Sequence, residues 1–269
     1  AYGCIAVPVV FTQVGLMIDA GHRQDLAPCL ADIDRWLFGG VDPLMALDRF
    51  TVPWFTEIMQ WCYTLYLVLI PASILLMAFA ARPQVVHRSL FAVVATFYLS
   101  YLGYYLVPAS GPNIHNNFGP ILPCSVTPLP LYTFATDLPG LWLARELREL
   151  MFALEVTKHN CFPSGHTAVA ITCAVCAAKV GKGWGIAFGT LGVGIILSTV
   201  YLRYHYVVDV FAGIALAVFV LIFARRAHRH WERRSAAASR AQDSEPIAAS
   251  SPANSPRPSS ESGVRSGCH

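Results

Sequence analysis

Six apolar runs, each near the length that crosses a bilayer, constrain this chain more than any other feature. An α-helix rises 1.5 Å per residue, so about 20 mostly apolar residues cross about 30 Å of hydrocarbon. Runs of this kind occupy residues 2–18, 56–81, 89–107, 167–180, 184–201 and 206–224. Composition agrees: 55% of residues are apolar and 13% charged, against about 25% charged in soluble domains. The expected fold class is all-α, a six-span transmembrane helical bundle in the lipid bilayer. With 19 Lys and Arg against 16 Asp and Glu, the charge is too balanced for a nucleic-acid partner, which would need a concentrated basic face.

Basic residues are retained on the cytoplasmic side of a membrane. Arg82, His87 and Arg88 fill one short loop, Lys179 and Lys182 another, and Arg225, Arg226, Arg229, Arg233 and Arg234 follow the last run. Alternation of the spans puts all three on one face, read as cytoplasmic, and the segments 19–55, 108–164 and 202–205 on the other. The first run, without a basic leader, is read as a truncated span or as what is left after processing, rather than a signal peptide. The expected organisation is a first span and outer amphipathic segment at 1–55, a membrane core at 56–226, and a tail at 227–269 that is basic and then disordered from Ser235. The tail's Ser, Ala, Pro and Arg bury too little apolar surface to offset ordering entropy.

In the outer loop Leu138, Leu141, Trp142, Leu147, Leu150, Met151 and Leu154 recur at helical spacing against Arg145, Glu146, Arg148, Glu149 and Glu155. This predicts a helix on the membrane surface, either a structural lid or a guide for substrate. Cys124 and Cys161 share the same loop and are the expected disulfide, with Cys29 as the competing partner. Cys173 and Cys176 sit inside an apolar run and are read as packing residues.

Polar residues at the edge of an apolar bundle are costly and therefore functional candidates. Two clusters qualify. Lys158-His159-Asn160-Cys161-Phe162-Pro163-Ser164-Gly165-His166-Thr167 leads into the fourth run; Pro and Ser are helix-start residues, and free N–H groups of a first turn bind phosphate. Ser198-Thr199-Val200-Tyr201-Leu202-Arg203-Tyr204-His205-Tyr206-Val207-Val208-Asp209 precedes the sixth. His205 and Asp209 are four apart and share a helical face, where a carboxylate can hold Nδ1–H and leave Nε2 free as nucleophile or base. Taken alone, that pair reads equally well as a helix cap. Asn113 and His115 beside the site are read as headgroup contacts or as solvated turn residues.

Together the clusters resemble the type 2 phosphatidic acid phosphatase (PAP2) superfamily. Its Pro-Ser-Gly-His motif stands intact as Pro163-Ser164-Gly165-His166, and its Ser-Arg-x5-His-x3-Asp motif appears with Thr199 in place of the Arg, then His205 and Asp209. Arg203 follows four residues after Thr199. The family's first motif, Lys-x6-Arg-Pro, is absent, and Tyr104–Asn113 takes its place without either cation. That departure, with His-Tyr-x-x-Asp-Val, is similar to the inositol phosphorylceramide synthase and sphingomyelin synthase branch.

The resemblance implies an enzyme, a lipid-phosphate phosphatase or phosphotransferase whose extracytoplasmic site works through phosphohistidine. His205 would attack phosphorus, Asp209 would orient it, and His166 would act as general acid and then base. Arg203, Lys158 and the N–H groups around Ser164 and Gly165 would bind phosphate. The expected substrate is a membrane lipid; no cofactor and no metal are called for, since no compact carboxylate cluster exists to hold Mg²⁺. The rival is a non-catalytic lipid-binding or transport protein on the same bundle. The Ala- and Arg-rich composition points to a bacterial plasma membrane.

Overall fold

The computed structural model describes residues 2–21, 25–113, 138–154 and 157–244. Among these there is no strand, only an isolated parallel bridge between Ala109 and Asn160. Ten helices form: α1 (Tyr2–Gly21), α2 (Ala27–Leu37), α3 (Pro43–Asp48), α4 (Pro53–Thr64), α5 (Tyr66–Ala80), α6 (Pro83–Leu106), α7 (Ala144–Leu154), α8 (Gly165–Ala178), α9 (Lys182–Tyr201) and α10 (Val207–Ser244). Five of them, α2 to α6, begin with Pro in the first turn or, in α5, carry it inside as Pro71. Proline fits a first turn because its missing N–H is unpaired there anyway.

Among the described residues three helices are long and apolar enough to cross a membrane: Pro83–Leu106, Lys182–Tyr201 and Val207–Arg234. The expected run 56–81 is broken into α4 and α5, bent by 42°, and counts as a fourth span if the pair is taken together. The break has local causes. The Thr64 hydroxyl donates to the Gln60 carbonyl (2.9 Å), and Pro71 cannot donate to the turn before it, which are two recognised sources of helix bending. The first and fourth expected runs become shorter apolar helices, Ala6–Gly21 and Gly165–Ala178. The expectation of six full spans is thus reduced to three, or four with the bent pair; a 14-residue α8 rises about 21 Å, less than the hydrocarbon thickness.

Short α8 is central to the packing. It lies against α9, α5 and α6, and its Ala168, Val169, Ala170, Cys173 and Ala177 are fully buried. These small side chains let neighbours approach closely, as in membrane bundles generally. Leu69, Val93, Phe188 and Ile195 complete that core. Two side-chain contacts stitch it, Thr96 Oγ1 with Thr172 Oγ1 (3.2 Å) and the Ser73 hydroxyl with Cys173 Sγ (3.3 Å).

A second core lies in the segment before α4. Ala27, Leu30 and Ala31 of α2 pack with Leu44, Ala109, Cys161 and Tyr206. Asp25 pins this layer by accepting from the Ala27 N–H (2.9 Å) and the Ser110 N–H (3.0 Å). Within the stretch expected to be amphipathic a helix forms as α7, beginning at Ala144, and Leu138 and Met151 pack on Met59, Tyr63, Tyr201, Leu202 and Tyr204.

Residues Ala1–His228 form one compact unit. In the second, Arg229–His269, the structure describes helix up to Ser244. This corrects the expected onset of disorder at Ser235: Ala236, Ala237 and Ala238 with Arg240 are strong helix formers, and no Pro interrupts before Pro246.

Candidate active site

The approach to α8 is fixed before any functional group is placed. The Cys161 N–H donates to the Ala109 carbonyl (3.1 Å) and the Ser164 N–H to the Asp209 carbonyl (3.0 Å). Ser164 is the N-cap: its hydroxyl accepts from the Thr167 N–H (3.3 Å) and from the Thr167 hydroxyl (3.0 Å). Such a cap satisfies donors otherwise orphaned at a helix start. Gly165 is required by close approach, since a Cβ there would meet the Tyr104 hydroxyl at 2.2 Å. His166 follows in the first turn, its ring against Tyr63 (centroids 4.8 Å) and Tyr66 (4.3 Å). Tyr63 in turn stacks on Tyr204 (4.3 Å).

The second cluster is a tight turn at the end of α9. The Thr199 carbonyl accepts from both the Tyr204 N–H (2.9 Å) and the His205 N–H (3.1 Å), and Arg203 takes a left-handed φ of 64° to close it. The Arg203 carbonyl receives the Asn113 N–H (3.0 Å), and its guanidinium forms a buried ion pair with Asp48 at the end of α3. His205 emerges 4% exposed. Its Nδ1 lies 3.3 Å from Asp209 Oδ2, and its Nε2 lies 3.4 Å from His166 Nδ1. Two histidines 39 residues apart in sequence therefore face each other, one of them backed by a carboxylate.

Asp209 Oδ2 is crowded. Besides His205 it accepts from the Tyr206 N–H (2.9 Å) and the Cys161 thiol (2.8 Å). The start of α10 is capped from α2, where Asp34 Oδ2 and Oδ1 accept from the Val207 and Val208 N–H groups at 2.7 Å each. Burial pushes the Asp34 carboxyl up to about 6, against the downward pull of those two donors. Burial, followed by the neighbouring Asp209 charge, pushes the Cys161 thiol well above its ordinary value, so it stays S–H. Cys161, His205 and Asp209 also bring ligand-type atoms within 4.8 Å of one another, a set able to hold a divalent ion if its mutual hydrogen bonds were given up.

The histidine pair opens into a cavity of about 410 Å³. Tyr63, Tyr66, Tyr104 and Tyr204 line its polar end, and mostly apolar residues of α1, α5, α6 and α7 line much of the rest. Among the described residues that line it there is no Lys, Arg, Asp or Glu.

Of the residues expected from sequence, His166, His205, Asp209, Ser164 and Gly165 come together at this point. Arg203 adjoins them in sequence but faces Asp48. Lys158 donates to the Phe152 carbonyl (3.0 Å) and lies over the Phe152 ring; it does not line the cavity. Asn113 is exposed, and His115 and Cys124 lie outside the described residues. The expected Cys124–Cys161 disulfide is overturned, because Cys161 is a free, buried thiol turned toward Asp209; Cys29, the competing partner, is the disulfide-bonded one. Sequence reasoning passed over Asp34, Asp48 and the tyrosine cage. The six Asp residues of the outer segment 19–55, in a chain with few charges, were the available signal.

The profile of the PAP2 superfamily matches residues 29–223. A PA-phosphatase related-family protein of Dictyostelium discoideum is 34% identical over 62 residues, which is 23% of this chain and 11% of that protein. This chain thus aligns with only a small part of that relative's length. No solved structure matches. A profile match across most of the chain, over the segment that holds both histidines and Asp209, places this protein in the PAP2 superfamily.

Proposed function

We propose that this protein transfers the phosphorus-containing group of a membrane lipid through a phosphohistidine intermediate. The observation that carries the reading is the facing pair itself: His205 Nε2 toward His166 Nδ1, with Asp209 on the far nitrogen of His205 and an apolar cavity in front. His205 Nε2 attacks phosphorus, and the P–O bond to the leaving alcohol breaks. His166 gives that alkoxide its proton, which supplies about 10²–10⁴ in rate. Asp209 holds the Nδ1 proton and balances the imidazolium charge. In the second half His166 takes a proton from water or an acceptor hydroxyl, which attacks phosphohistidine and frees His205. The N–H groups at the start of α8 that the Ser164 cap leaves free would stabilise charge gathering on equatorial phosphoryl oxygens.

The charge inventory favours a phosphodiester donor and a hydroxyl acceptor over a phosphomonoester and water. A phosphomonoester is close to a dianion at neutral pH and needs compensating cations. The segment 104–144 contains no Lys or Arg, the cavity lining is uncharged, and Arg203 is already matched by Asp48. A singly charged diester suits that field better. This agrees with the resemblance to the headgroup-transferring branch. Arg203, Lys158, Asn113 and His115 remain proposed phosphate or headgroup contacts, Arg203 becoming available only if its ion pair with Asp48 opens on binding.

By the distribution of Lys and Arg the site faces away from the cytoplasm, in what composition suggests is a bacterial plasma membrane. The test is an assay of purified protein in detergent micelles on paired lipid phosphomonoesters and phosphodiesters, with added lipid alcohols, wild type beside His205→Ala. Expected are headgroup exchange that needs His205, little free phosphate, and an acid-labile phosphoryl adduct on the protein. Turnover retained in His205→Ala would remove the mechanism, and His205-dependent release of free phosphate from monoesters would replace the diester reading with a phosphatase. No turnover on any lipid would favour the non-catalytic rival.

A further inference from the structure

Cys161 stands five residues before His166 and has no part in the mechanism above. Its position is nevertheless built with care. Its backbone N–H is tied to Ala109 (3.1 Å), and it packs in the core formed by α2 and Tyr206. Its Sγ is 2.8 Å from Asp209 Oδ2, 3.5 Å from His205 Nδ1 and 3.5 Å from the Tyr204 carbonyl. Only 1% of the residue is exposed, and it does not line the cavity. A thiol so placed is no nucleophile, because reactive cysteines are accessible thiolates in electropositive surroundings. It is a neutral donor on the carboxylate that backs the histidine.

We propose that Cys161 is a positioning residue for the reaction, its S–H holding Asp209 Oδ2 in line with His205 Nδ1 and drawing off part of the charge that the imidazole would otherwise receive. This rests on the phosphohistidine reading. Asp209 Oδ1 has no hydrogen-bond partner among the described residues, so the orientation of the carboxylate depends on what grips Oδ2. Three donors do: the Tyr206 N–H, fixed by the backbone, the His205 ring, which must move in catalysis, and Cys161. Cys161 is thus the one side-chain donor there that does not change its charge during turnover. Without it the carboxylate keeps more charge for His205, favours the protonated ring, and is freer to rotate.

The test compares wild type, Cys161→Ala, Cys161→Ser and His205→Ala in the lipid assay, with full pH profiles and thermal unfolding. Cys161→Ala should lower kcat about tenfold with KM nearly unchanged, the scale of one hydrogen bond to a charged group. Its acidic limb of kcat/KM should move to higher pH, since an Asp209 carboxylate relieved of the thiol donor pulls harder on the imidazolium. Cys161→Ser, which restores a donor, should return both. Asp25 from the outer segment, Asp34 from α2, His166 from α8, and His205 and Asp209 themselves face this point. Asp34 titrates in the same range, so the limb shift must persist in an Asp34→Asn background. A wild-type kcat and pH profile in Cys161→Ala would overturn the proposal. So would equal losses in the Ala and Ser variants that track their melting temperatures, which would make Cys161 a packing residue. If His205→Ala retains activity, the phosphohistidine reading fails first, whatever Cys161 does.

Discussion

At the scale of single residues, the site joins two kinds of group that differ in how legible they were. His166, His205 and Asp209 announce themselves, because ionisable residues at the ends of apolar helices are too costly to be idle. Asp48 does not, because its meaning depends on Arg203, 155 positions away. Both side chains are nearly fully buried, 9% and 5% exposed, so removing one strands the other's charge, at a cost of about 3–5 kcal/mol. Asp48→Ala should therefore lower the melting temperature in detergent steeply, and adding Arg203→Met should recover much of the loss. Equal destabilisation by the single and double variants would show that Asp48 matters through packing. His166→Ala should leave the fold unchanged, since Ser164 and not His166 caps α8, and should cut kcat by about 10²–10⁴.

At the scale of elements, two carboxylates fasten outer segments to the bundle. Glu57 on α4 accepts from the N–H groups of Leu141 (3.0 Å), Trp142 (3.2 Å), Leu143 (3.0 Å) and Ala144 (3.2 Å). One side chain thereby satisfies the whole start of α7, whose Met151 and Leu154 line the cavity. Glu57→Gln keeps the shape but offers a neutral acceptor. Amides 141–147 should then exchange with deuterium at least tenfold faster, while those of α8 stay protected. Asp34 does the same for α10. A carboxyl whose value rises from 3.8 to about 6 on folding is easier to ionise in the unfolded chain. It thus stabilises the fold fully only below pH about 4, and that contribution is lost as pH rises through about 6. The melting temperature should fall across this interval in wild type and flatten in Asp34→Asn. Periodicity alone revealed α7 and the apolar helices, because amphipathic and lipid-facing patterns are local. The shortness of α8 was already present in the length of its run, but the bend between α4 and α5 was not, because run length counts apolar residues and ignores a hydroxyl bonded back to Gln60.

At the scale of the whole molecule, the turn between α9 and α10 and the loop before α8 meet at one end of the helices, and Lys179, Lys182, Arg225 and Arg226 fall toward the other. This separation is what the retention of Lys and Arg on one side of a membrane requires. It also bears on the proposed function, since the cavity runs from the histidines between apolar helices and a lipid substrate would present its phosphate at one face only. Trp142 is 79% exposed at the histidine end, and Gly183 has open space for a side chain at the other. In intact cells a membrane-impermeant maleimide should label Trp142→Cys above the wild-type background, and label Gly183→Cys only after lysis. The reverse pattern would put the proposed phosphoryl chemistry on the cytoplasmic side, where soluble acceptors compete with lipid alcohols, and would overturn the outward-facing reading.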